Sequence, residues 1–114
     1  MGSEERKNDR VAVSFVKHIA CTSAMECFGV VGIANIPGAD GLVHLLTNEE
    51  LTKGVKVSMA PNKKIHIEVY VILEFGIRIE TVAENLIDTI KYNVEKETGL
   101  KVGKVTVNVQ SVRV

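Results

Sequence analysis

The chain has 114 residues, with fourteen Lys and Arg set against fourteen Asp and Glu, so its formal net charge is zero. That length fits one domain able to bury a core without help from disulfides or metals. Zero net charge excludes a global field that would steer the protein to nucleic acid or to an anionic membrane.

Residues 1–10, MGSEERKNDR, are polar and dense in charge, with no apolar run of signal-peptide or transmembrane length. They read as a flexible N-terminal arm, and residues 11–114 as a single domain kept in the cytosol. RVAVS alternates, with Val11 and Val13 on one side, and predicts a first edge strand followed by Ser14 as a helix N-cap. Val16, Ile19, Ala20, Ser23, Ala24 and Cys27 then recur at helical spacing up to Gly29, a natural stop. Cys21 and Cys27 lie on this helix about 240° apart, which excludes a bridge or a shared metal and leaves two small apolar residues.

VVGIANI predicts a buried strand, PGADG a turn, and LVHLLTNEELTKG a loop with some helix that tucks Leu42, Leu45 and Leu46 against the body. GVKVSM alternates again. In KIHIEVYVILEFG, Ile65, Ile67, Val69, Val71, Leu73 and Phe75 share one face, while His66, Glu68, Tyr70, Ile72 and Glu74 share the other. Such a split belongs to a strand covered on one side and open on the other. From Ile79 the period becomes helical through Val82, Ala83, Leu86, Ile87, Ile90 and Val94, with Thr81 and Glu84 at capping-box spacing and Gly99 as the stop. KVTVNVQ closes the pattern with Val105, Val107 and Val109 inward and Lys104, Thr106, Asn108 and Gln110 outward.

Two amphipathic helices and several one-sided strands predict an α+β fold. The expected form is a two-layer sandwich, with two helices packed on one face of a mainly antiparallel sheet of four or five strands. The order is strand, helix, three strands, helix, strand.

Reactive motifs are scarce. His18, His44 and His66 match no metal-binding pair spacing, and Cys21 or Ser58 beside His66 lacks an elbow or cysteine signature around it. GADG, residues 38–41, has the GxxG form that clamps RNA backbone, but it carries the acidic Asp40 and no nearby Lys or Arg. No catalytic residue, cofactor or metal site is expected. The open sheet face remains: Lys56, Ser58, His66, Glu68, Tyr70, Ile72, Thr106 and Asn108. It reads either as a solvated face or as a docking and dimerisation surface, with Tyr70 and Ile72 as apolar centre and polar groups as rim. In the tail, Val112 and Val114 stand on even positions after valines on odd ones. The slip at Gln110 and Ser111 predicts a β-bulge that turns both toward a neighbour.

Taken together, VAVSFVKHIACTSAMECFGV, GVKV, IHIEVYVILEFGIRIETVAENLIDTIKYNVEKETGLKV and VTVNVQSV, in this order and spacing, resemble the alkaline shock protein family of Gram-positive bacteria, the envelope stress response proteins. The resemblance covers nearly everything after residue 10. It implies a small cytoplasmic protein without known catalysis, some relatives of which gather beneath the membrane through a separate membrane-anchored partner. The chain departs from the pattern at Asn85 and in the variable loop 37–53. The expectation is a non-enzymatic scaffold that self-associates as a homo-oligomer or docks a protein partner, such as a membrane-anchored adaptor. It binds no nucleic acid and does not insert into the membrane. The alternatives are a small-molecule-binding regulatory domain, with a pocket between the sheet and the loop around His44, and an RNA-binding domain.

Overall fold

No Gly or Pro interrupts residues 3–28, so nothing in the backbone stops a helix once it has nucleated. The computed structural model describes residues 2–110, with side chains from position 13 onward, and it opens with helix α1, Gly2–Glu26. The helix runs through the segment read as an arm and through RVAVS, so the first strand expected at Val11 and Val13 is not formed. Val13 stands three residues before Val16 and extends the helical stripe backward. An alternation of three residues is too short to outweigh continued helical hydrogen bonding.

Four strands follow among the described residues: β1, Val30–Ile33; β2, Val55–Met59; β3, Ile65–Leu73; and β4, Val102–Val109. A short 3-10 turn, Leu51–Gly54, leads into β2, and helix α2, Ile79–Thr98, lies between β3 and β4. The α+β class and the two-layer arrangement are as expected. β3 is the centre of the sheet. β1 and β2 pair with it antiparallel, at its C-terminal and N-terminal ends respectively, and β4 pairs with it parallel. The carbonyl of Tyr70 accepts from Ala34 beside β1, whereas the next carbonyl, Val71, accepts from Gln110 beside β4. Successive carbonyls point to opposite edges of a strand. β1 and β2 therefore line one edge of β3 end to end, and β4 takes the other.

The odd residues of β3 face the helices. Ile65, Ile67, Val69 and Val71 are buried against Val16, Ile19, Ala20 and Ala24 of α1 and Val82, Leu86, Ile90 and Val94 of α2. α1 lies over β1 and β2, α2 over β4, and the two helices touch. Ala20 and Ala24 are fully buried, as small residues at a helix contact should be. There Asn93 Nδ2 donates to the buried Ser23 Oγ at 2.8 Å, which satisfies the one buried polar side chain among the described residues of that helix.

Gly99 caps α2 in the left-handed region, its N–H donating to Glu95 O at 2.9 Å. The capping box at Thr81 and Glu84 is not used, because α2 starts at Ile79 after Arg78, and no side chain caps it. Phe75 does not continue the inward face. β3 ends at Leu73, and Phe75 is fully exposed in the turn that follows. The bulge in β4 sits at its beginning, where Ile65 pairs Val102 and His66 pairs Lys104, leaving Gly103 extra. A Cβ at Gly103 would meet Lys64 Cβ at 3.0 Å, so glycine suits the bulge. At the far end Gln110 still donates to Val71 O at 2.8 Å. The slip expected beyond it, with Val112 and Val114, lies outside the described residues.

Candidate functional site

Because the helices cover only the odd face of β3, the even face is left to whatever the loops and solvent provide. Pairing sets its residues in rows. Ser58, His66 and Lys104 form one row; Lys56, Glu68 and Thr106 the next; then Tyr70 with Asn108, and Ile72 with Gly32. Every described member of the sequence-predicted surface is thus on one continuous face.

Its centre is polar. Glu68 Oε1 accepts from Tyr70 Oη at 3.1 Å and from Asn108 Nδ2 at 2.7 Å, joining β3 to β4 through one carboxylate oxygen. A carboxylate held this way is fixed in place, because charge-assisted bonds are the stronger kind. Partial burial, and then the neighbouring Glu68, push the Tyr70 phenol above its ordinary range. It remains a neutral donor.

Ile72 is not an exposed apolar centre; it is buried. The loop after β1 folds back so that Ala34 bridges Leu45, and a Cβ at Gly32 would lie 2.6 Å from Leu45 Cδ2. Leu45 therefore lies on the open side over Gly32, beside Ile72. Asn35 closes this loop, donating to Leu42 O at 2.9 Å and accepting from His44 N at 2.8 Å. Of the three leucines expected to tuck in, Leu46 enters the core, Leu45 is half-exposed over Gly32, and Leu42 is exposed. Asp40 Oδ1 accepts from Leu42 N at 3.1 Å, so the acid of GADG turns into its own loop. His44 is exposed.

Nearer the start of β3 the face hollows into a cleft of about 390 Å³, lined by Lys17, Lys56, Lys104, Ser58, His66 and Thr106. Lys104 was legible as outward in the β4 alternation; Lys17 reaches the cleft from α1, a placement that no pattern along the chain signals.

The chemistry of bond-making is thinly represented. Ser58 stands opposite His66, but no hydrogen bond joins them and no third group orients the imidazole among the described residues. Among those residues no group of three His, Cys, Asp or Glu side chains gathers as a metal site would require. Cys21 and Cys27 are free and buried, their thiols bonded to the carbonyls of His18 and Ser23. Burial pushes both thiols up, which works against the thiolate that a nucleophile needs. Both should label slowly with Ellman's reagent at neutral pH and rapidly in denaturant. The linkage has a fixed sign: an acid whose folded pKa is raised contributes stability below its ordinary range, and that stability is lost as pH climbs through the raised value. Urea midpoints should therefore fall on the alkaline side of the thiol range, and a midpoint that rises there would contradict this burial.

No helix among the described residues is long and apolar enough to cross a membrane. In overall shape the chain is similar to the MamM CTD in a zinc form, with a TM-score of 0.51 and 11% identity over 88% of this chain and 86% of that one, a likeness of fold alone. In sequence it is similar to YloU of Bacillus subtilis (strain 168), 38% identical over 97 residues, which cover 84% of this chain and 80% of YloU. It is also similar to Spy1614 of Streptococcus pyogenes serotype M6, 37% identical over 93 residues, 81% of this chain and 76% of that protein. The profile of the alkaline shock protein 23 family, described as having a cell envelope-related function, matches residues 2–114. By that match and by both relatives, the chain belongs to the alkaline shock protein 23 family.

Proposed function

We propose that this protein acts without catalysis as a cytoplasmic interaction module of the cell-envelope stress response, docking protein partners on the open face of its sheet. The observation that carries the reading is the face itself. Strands β2, β3 and β4 present a continuous surface that neither helix covers, held rigid by the Glu68, Tyr70 and Asn108 network. Fixed polar groups on a rigid strand platform are what a specific interface needs, since little ordering remains to be done on binding. The family's cell envelope-related function supplies the setting. A membrane-anchored adaptor and a second copy of the chain are the two partner types this role admits, and the first would bring the protein to the inner side of the membrane.

Two variants test it. Ser58→Trp combined with Tyr70→Ala alters only the open face, whereas Glu84→Ala combined with Lys91→Ala alters exposed positions on α2. Capture of partners from crosslinked native cells, separated into cytosol and membrane, should be lost for the first pair and kept for the second. Equal capture by both would remove the open face from the account.

A further inference from the structure

We propose that the cleft on the open face takes an extended acidic segment of a partner protein, with Lys17, Lys56 and Lys104 meeting successive carboxylates. This rests on the docking role above and names the chemistry of the partner. The chain as a whole is neutral, yet three lysines line this one cleft. Its single carboxylate, Glu68, directs Oε1 to Tyr70 and Asn108. Among the described residues the one ion pair joins Lys53 to Glu50, so the three lysines share the single carboxylate of Glu68 and the cleft keeps a positive excess. Lys64 and Lys101 extend the positive charge at the same end of the sheet, where Ile65 N donates to Lys101 O at 2.8 Å. Unpaired like charges held together repel one another, and an anionic partner relieves that repulsion.

Spacing favours an extended partner over a compact anion. Lys56 and Lys104 stand on the strands flanking β3, in adjacent rows of the open face. Their Cα atoms are thus about 10 Å apart across the sheet and about 7 Å along it, from ordinary strand spacing and rise. One phosphate-sized ion fits that separation poorly. Same-side residues of an extended peptide repeat at about 7 Å, which matches the offset of the two lysines along the strands. The cleft is also open to solvent, and a small ligand there would keep part of its surface in water, unlike one in an enclosing pocket. Ser58, Thr106 and His66 supply hydrogen-bonding groups between the lysines.

The test is a fluorescence anisotropy titration of the full chain with a labelled short peptide alternating Glu and Ser, beside the same peptide with Lys for Glu. Inorganic phosphate and a single-stranded RNA serve as competitors. Expected are saturable binding of the acidic peptide that weakens with added salt, no binding of the basic one, and a loss of about tenfold or more in Lys56→Glu with Lys104→Glu. Both lysines are exposed, so this variant should melt like the parent; if it does not, Lys56→Gln with Lys104→Gln is read instead. Absence of saturable binding at millimolar peptide, unchanged affinity in the lysine variants, or displacement by phosphate or RNA at equal charge would each overturn the proposal. The docking role fails separately. If the lysine variants still capture native partners while Ser58→Trp with Tyr70→Ala does not, the face is a docking site and the acidic segment is wrong.

Discussion

Gly54→Ala should destabilise the fold by about 3 kcal/mol, the upper end of the usual cost of overpacking, because backbone is struck. Gly54 ends the 3-10 turn and is buried where β2 begins. A Cβ there would collide with the Ala34 carbonyl oxygen and the Ile33 side chain and would press on Leu46. A flexible side-chain tip can step aside, but the carbonyl belongs to the backbone that continues β1 and bridges Leu45. Relief therefore requires the entry to β2 to move away from the exit of β1. The loop over Gly32 and Ile72 would loosen with it, so the effect reaches the open face as well as the core. Gly41→Ala is the comparison. No atom lies within 4 Å of its added Cβ, and the positive φ of 68° alone should cost about 1 kcal/mol. Urea denaturation of the two variants separates packing from backbone preference.

Leu86→Ala should cost about 3–5 kcal/mol, the usual range for emptying a fully buried leucine site. Leu86 has no exposed surface and sits in the middle of the α2 stripe against the sheet. It belongs to the buried cluster shared by both helices and the sheet, so elements on more than one side resist collapse of the cavity. Against a total stability of about 5–15 kcal/mol for a domain of this kind, the variant should unfold well below the parent's melting temperature. Leu42→Ala, at a residue 66% exposed in the loop, should stay within about 0.5 kcal/mol of the parent.

The elements that could be read from sequence were those in which one period persists over many residues. β3 alternates from Ile65 through Val71 and α2 repeats its stripe through four buried residues, so side-chain direction there follows from period alone. Glu68 and Tyr70 share the open face for this reason, and the shorter alternation of β4 puts Thr106 and Asn108 beside them. RVAVS failed for the opposite reason: three alternating residues fit the start of a helical stripe as well as a strand, and helix propagation decided between them. Burial of Ile72 was hidden because its cover, Leu45, comes from a loop whose path depends on Gly32 lacking a side chain and on the Asn35 clamp. Neither leaves a periodic signal. The parallel pairing of β4 follows from α2 crossing back over the sheet, which orders the strands in space but not in local pattern. Lys17 joined the cleft through tertiary contact alone.

The most direct measurement of the docking claim places a photo-crosslinking amino acid at Asn108, on the open face, or at Lys91, on the exposed side of α2, in the full chain expressed in living cells. Discrete protein adducts from position 108, with none from position 91, are the predicted result. Adducts formed from position 91 and absent from position 108 would show that partners dock on the helical layer, and would contradict the account.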